Sequence, residues 1–206
     1  HIDILAEESA DNKKRLKNKF CFIVDPLDGT KEFVKKNGEF TVNIALAYQN
    51  ETVMGVVYAP CQKKFWYAAK GHGAYALNLN LDIPRLFDET TKIKASDKTS
   101  ALTVVKSRSH SDKRTEALLE KNKDKIASLA DVGSALKGCL IAEGSADVYY
   151  RFGPTMEWDT CAVQCVVEES GAIFMQADHS KMRYNRENSV NDKGFIILNK
   201  MENRLD

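Results

Sequence analysis

The chain has 206 residues, 43% hydrophobic and 29% charged, with only 4 Pro and 11 Gly, a globular composition that excludes disordered and collagen-like chains. Thirty basic and twenty-nine acidic side chains leave a net charge of +1, so bulk charge gives no argument for a nucleic-acid partner. Five scattered cysteines without a C-x-x-C pair support neither a zinc site nor a disulfide framework, and no apolar run approaches the ~18 residues of a membrane span, so the chain reads as reduced, soluble and cytoplasmic.

In chain order, the basic run Lys13-Lys14-Arg15-Leu16-Lys17-Asn18-Lys19 reads as a solvated surface turn. Phe20 to Val24 is a short β-branched run that suits a buried strand, stopped by Asp25-Pro26. Thr30 to Asn37 reads as a short helix closed by Gly38. Phe40 to Tyr48 and Thr52 to Ala59, joined by Gln49-Asn50-Glu51, predict a hairpin. Phe65 to Ala69 and Ala74 to Leu77 flank a second turn at Gly71-His72-Gly73, which together imply an antiparallel or mixed sheet. The polar stretch Asn78 to Thr91, with Pro84, is the best internal boundary. Beyond it, strands are expected at Leu102 to Val105, Ile126 to Ala130, Ala146 to Tyr150, Ala172 to Gln176 and Phe195 to Leu198. Helices are expected at Asp112 to Asn122, Ser134 to Glu143 and Asp159 to Ser170, the last with Gly171 just past its end. This alternation predicts an α/β protein of two lobes, residues 1–90 and 91–206, forming one functional unit with the site between them.

The segment Val24-Asp25-Pro26-Leu27-Asp28-Gly29-Thr30 places two carboxylates three residues apart where a strand runs into a helix. At that end of a strand, side chains point into the crevice where α/β proteins bind ligands, so Asp25 and Asp28 can share a divalent cation. Gly29 permits close backbone approach, and the amides of Gly29, Thr30 and Lys31 open a helix, where an anion is attracted. The same residues resemble the D-x-D-G-T motif of haloacid-dehalogenase phosphatases, but the nucleophilic position there is Pro26 here, so no aspartyl-phosphate can form. Two more acidic places matter, Glu7-Glu8-Ser9 and Trp158-Asp159-Thr160-Cys161-Ala162. Taken singly, Glu7-Glu8 suits a solvated turn and Asp159 a helix cap. A crevice gathering Glu7, Asp25, Asp28 and Asp159 requires cations to offset about four negative charges, and an all-oxygen set suits Mg²⁺.

These three motifs resemble those of the inositol monophosphatase superfamily of Mg²⁺-dependent, Li⁺-sensitive phosphatases, over essentially the whole chain. The resemblance implies a layered α-β-α-β sugar-phosphatase fold. It implies Glu7, Asp25, the Leu27 carbonyl, Asp28 and Asp159 as ligands of two or three Mg²⁺ ions, and Thr30 as the residue that orients the attacking water. Ser107-Arg108-Ser109-His110-Ser111, Gly133-Ser134-Ala135-Leu136-Lys137, Tyr150-Arg151-Phe152-Gly153-Pro154-Thr155 and Lys31-Glu32-Phe33 look like the 3′(2′),5′-bisphosphate nucleotidase branch, which acts on adenosine 3′,5′-bisphosphate in sulfur metabolism. Substrate contacts implied are Asp28, Gly29, Thr30, His110, Ser134, Lys137, Arg151 and Asp159. A second phosphate on the substrate needs additional cationic donors, which Lys137 and Arg151 can supply, although each alone also reads as a surface cation.

The implied activity is hydrolysis of adenosine 3′,5′-bisphosphate to AMP and phosphate, by a monomer or homodimer. Another phosphatase of the superfamily, acting on inositol phosphates or fructose 1,6-bisphosphate, and a silent nucleotide- or metal-binding fragment remain the alternatives. The superfamily's N-terminal helical segment, whose acidic residue partners the activating Thr, has no counterpart before His1, so the chain is expected to be a fragment with apolar surface uncovered.

Overall fold

Seven strands of the first half of the chain form one sheet in sequence order: β1 (Asp3–Ala6), β2 (Phe20–Asp28), β3 (Thr41–Tyr48), β4 (Glu51–Ala59), β5 (Lys64–Ala69), β6 (Gly73–Asn78) and β7 (Thr91–Ile93). The computed structural model describes residues 2–11, 13–79, 90–109 and 112–206. β1 runs parallel to β2 and every other neighbour is antiparallel, so the sheet is mixed. The expected Gln49-Asn50 turn carries left-handed backbone at both residues (φ 49 and 66), the twist that a tight hairpin requires. A short helix, α1 (Thr30–Val34), follows β2 and ends earlier than expected, because Lys36 turns left-handed at φ 55 before Gly38 is reached.

The second half builds a five-stranded sheet in the order β12-β14-β10-β8-β9, from β8 (Leu102–Ser107), β9 (Ile126–Val132), β10 (Val148–Arg151), β12 (Ile173–Gln176) and β14 (Phe195–Leu198). Two short strands, β11 (Thr155–Met156) and β13 (Val190–Asn191), pair separately. The helices are α2 (Lys113–Lys121), α3 (Leu136–Ala142) and α4 (Glu157–Glu169). No helix of the described residues is long and apolar enough to cross a membrane.

Strand periodicity explains the layering. In the second sheet Val105, Tyr149, Phe174 and Ile197 join the core shared with α3 and α4. Their alternates Val104, Tyr150, Met175 and Ile196 pack with Leu119 of α2 on the opposite face. In the first sheet Cys21, Ile23, Ala45, Ala47, Val57, Trp66 and Ala68 face the same central core. α4 lies across β2 to β6 and also against α3. The small inward residues let it come close: a Cβ on Gly55 of β4 would stand 2.1 Å from the Ala162 carbonyl oxygen of α4. The layers are therefore α2, second sheet, α3 with α4, first sheet, the expected α-β-α-β order. The outer face of the first sheet bears exposed Ile4, Phe20 and Ile44.

The basic run is not a wholly solvated turn: Lys14–Lys17 form a 3-10 turn in which Arg15 is buried, 2% exposed. Arg15 donates to Asp11 (2.8 and 3.1 Å), Asn185 (2.8 Å) and the Arg186 carbonyl (2.9 Å), joining the start of the chain to its last third.

Candidate active site

The strand expected to stop at Asp25-Pro26 instead continues to Asp28 through a bulge. Asp25 is opposite Asn43 and Asp28 opposite Thr41, so three steps along β2 match two along β3. In a regular strand, residues three apart face opposite sides of the sheet. The inserted residue returns Asp28 to the inward face that Cys21, Ile23 and Asp25 already occupy. Pro26 has no N–H to lose from the ladder and fits the irregularity. Gly29, at φ 89, then starts α1; a Cβ there would meet Ser134 Cβ at 3.2 Å and the Glu39 carbonyl at 3.3 Å.

The third carboxylate comes from α4. The helix begins at Glu157, two residues before the expected start, with Met156 as N-cap, so Asp159 is not the cap but lies in the first turn. Its Oδ2 accepts the Met156 N–H at 2.7 Å. Buried Glu157 fixes this helix end by accepting from the backbone N–H groups of Asn185 (2.6 Å) and Arg186 (3.0 Å). Oxygens of Asp25, Asp28 and Asp159 all lie within 4.8 Å of one another. Glu7, exposed, enters through parallel pairing: Ala6 is opposite Val24 and the Glu7 N–H reaches the Val24 carbonyl at 3.3 Å, so both strands deliver a carboxylate at the same end.

Glu7, Asp25, Leu27, Asp28, Gly29, Thr30, Ser134, Lys137, Arg151 and Asp159 line one cavity of about 590 Å³. Every expected site residue is thus brought together except His110, which lies outside the described residues. Asp28 Oδ2 accepts from the Ala135 N–H (2.6 Å), Asn43 Nδ2 (3.2 Å) and Thr41 Oγ1 (3.3 Å). Asp25 Oδ1 accepts the Leu27 N–H at 2.9 Å, whereas its buried Oδ2 has no partner among the described residues. Thr30 Oγ1 donates to the Leu27 carbonyl at 3.5 Å. Burial and then the Asp28 charge push the Asp25 carboxyl up to about 9 and that of Asp159 to about 7, and burial raises Asp28 as well. An orphaned carboxylate oxygen amid like charges is the environment that a hard divalent cation neutralises, so the residues present fit such an ion.

Lys137 is no surface cation. It is buried, its Nζ donates to the Ser134 carbonyl at 2.5 Å and lies 5.3 Å from the Tyr149 ring centre, and burial lowers its pKa to about 8. Arg151, the last residue of β10, is half-buried, with Nη2 3.3 Å from the Pro154 carbonyl. The α3 helix starts at Leu136, not Ser134, since Ser134 is left-handed at φ 48. Sequence reasoning missed Thr41 and Asn43, whose signal was polarity at two inward positions of a strand that continues with Ala45 and Ala47. It also missed Glu39 and gave Glu32 no role beyond its place in a branch-like segment, yet both hold the opposite wall: Glu39 accepts from Arg108 and Gly133, and Glu32 from Ser109.

The model of the inositol monophosphatase family matches residues 1–205. The chain belongs to the inositol monophosphatase family. Members of this family are metal-dependent, and the acidic cluster is in keeping with that. The chain is 42% identical over 177 residues to the 3′(2′),5′-bisphosphate nucleotidase CysQ of Salmonella typhimurium, spanning 85% of this chain and 67% of that protein. It is 38% identical over 197 residues to the CysQ nucleotidase of Buchnera aphidicola, spanning 94% and 70%. Among solved structures it resembles CysQ from Bacteroides thetaiotaomicron at TM-score 0.86 and 38% identity, over 97% of this chain and 78% of that one. The inositol monophosphatase of Thermotoga maritima, at TM-score 0.75 and 24% identity over 96% and 69%, shares the fold.

Proposed function

We propose that this chain is a metal-dependent phosphomonoesterase that hydrolyses adenosine 3′,5′-bisphosphate to AMP and phosphate. The observation that carries the reading is the meeting of Asp25, Asp28 and Asp159 within 4.8 Å, in a cavity whose other wall holds Lys137 and Arg151. Asp25, Asp28, Asp159, Glu7 and the Leu27 carbonyl would hold Mg²⁺, two or three ions by family resemblance. When bound, the metal lowers the pKa of water and offsets charge at phosphorus and the leaving oxygen.

The protein's own groups do the remaining work. Asn43, Thr41 and the Ala135 N–H hold Asp28 in one orientation, which keeps one side of its carboxylate turned to the cluster. Thr30 lies at the cavity wall with its hydroxyl near the Leu27 carbonyl, and in this reading it orients a nucleophilic water. The backbone amides at Gly29 and Thr30 receive phosphate oxygens. Ser134, Lys137 and Arg151 serve the second phosphate and the nucleoside, with His110 in the same role by resemblance. The lobes 1–90 and 91–206 act as one unit in this proposal, β7 carrying the first sheet three residues past the division. A cytoplasmic setting is part of the same reading.

Arg151→Glu tests the substrate assignment. Its kcat/KM for adenosine 3′,5′-bisphosphate is expected to fall ~100-fold while that for inositol 1-phosphate falls less than ~3-fold, because only the former has a second phosphate to lose. Equal losses would contradict the role given to Arg151.

A further inference from the structure

One turn governs the wall facing the carboxylates. Gly133, Ser134 and Ala135 connect β9 to α3, and Ser134 has the left-handed backbone that a residue with a side chain adopts only when its surroundings hold it there. Both neighbours of Ser134 are held by acids from the first sheet's segment. Glu39 Oε2 accepts the Gly133 N–H at 2.8 Å, and Asp28 Oδ2 accepts the Ala135 N–H at 2.6 Å. Glu39 is fixed in turn by a forked pair with Arg108, whose Nε and Nη2 donate to Oε2 and Oε1, each at 2.8 Å. Arg108 follows directly on β8 and also donates to the Asp131 carbonyl of β9, so it is tied to the second sheet. The Ser134 hydroxyl is buried in the cavity wall and has no partner among the described residues.

We propose that Glu39 is a positioning residue: with Arg108 it clamps the Gly133 N–H, and the clamp keeps Ser134 in the conformation that offers its hydroxyl to the phosphate ester. Glu39 touches no substrate in this account. Its influence passes through Ser134, so removal of either should cost the same interaction once. The inference rests on the phosphate-ester reading of the cavity and adds to it the group that prepares one of its contacts.

The test is a double-mutant cycle on adenosine 3′,5′-bisphosphate hydrolysis at saturating Mg²⁺. Ser134→Ala and Glu39→Ala are each expected to raise KM ~10-fold, with kcat and the Mg²⁺ half-saturation within ~2-fold of wild type. The double variant should match Ser134→Ala alone rather than reach the ~100-fold of independent effects. Glu39→Gln retains an acceptor for the Gly133 N–H and should keep KM within ~3-fold of wild type. If Glu39→Ala does not fold, Arg108→Ala replaces it in the cycle, with a smaller rise in KM that vanishes in the Ser134→Ala background. An additive cycle, or a loss in kcat at unchanged KM, overturns the clamp while leaving the phosphatase reading intact. Wild-type protein that releases no phosphate from the bisphosphate overturns that reading and the clamp with it.

Discussion

Asp25 concentrates the chemistry of this molecule in one side chain. It is 1% exposed, stands beside two other carboxylates, and has one oxygen without a partner among the described residues. Without metal, burial and the Asp28 charge keep it protonated up to about 9, and Asp159 up to about 7, whereas carboxyls of the unfolded chain lose their protons near ~4. The folded state therefore holds more protons than the unfolded one across this window. Metal-free stability should fall as pH rises from ~4 towards ~9, by about 1.4 kcal/mol per pH unit for each retained proton. Thermal denaturation in the presence of a chelator should give a lower Tm at pH 8 than at pH 6, and Asp25→Asn should reduce that difference while lowering turnover by ~10³-fold or more. A metal-free Tm that holds level or rises between those pH values would contradict the buried-acid account. Asp25, Asp28 and Asp159 were all legible as candidates because carboxylates beside Pro, Gly and Trp stand out in a sequence. The partners that orient them were not, since Thr41 and Asn43 become informative only once β3 is known to face β2.

At the scale of elements, a bulge and a helix make the site. The bulge in β2 puts Asp25 and Asp28 on one face, and α4 brings Asp159 to them across the first sheet. Most strands and helices were legible within a few residues from apolar periodicity and turn residues. Besides the early end of α1, the boundaries that failed include three at the site: Asp25-Pro26 read as a strand end, Asp159 as a helix start, and Ser134 as helical. Each is a place where tertiary contacts override local preference, through the added residue of the bulge, the carboxylate bond to Met156 and the left-handed turn after Gly133. β1 was unpredicted because four residues carry little periodicity and their pairing to β2 is non-local. The approach of α4 to the sheet can be tested separately. Gly55→Ala would drive a methyl into the Ala162 backbone, so it should destabilise the protein by about 1–3 kcal/mol in denaturant unfolding and weaken Mg²⁺ binding through displaced Asp159. Wild-type stability in that variant would show that α4 does not bear on β4 as described.

At the largest scale, two sheets stack around α3 and α4 and leave a cavity where their ends converge, carboxylates from the first sheet and α4 on one side and Lys137 with Arg151 on the other. Opposed acidic and basic walls suit a ligand that carries metal ions at one end and a second anionic group at the other. The α/β class was legible from the change in pattern along the chain and the layer order only through the family resemblance, while the joining of its first and last thirds through buried Arg15 was hidden within an ordinary-looking basic run. The most direct measurement is phosphate release by this chain from adenosine 3′,5′-bisphosphate and inositol 1-phosphate side by side, with and without Mg²⁺ and with Li⁺ added. Mg²⁺-dependent, Li⁺-sensitive release from the nucleotide is expected to exceed release from the inositol ester at least ~10-fold. Release from the inositol ester alone, or none from either with Mg²⁺ present, would contradict that expectation.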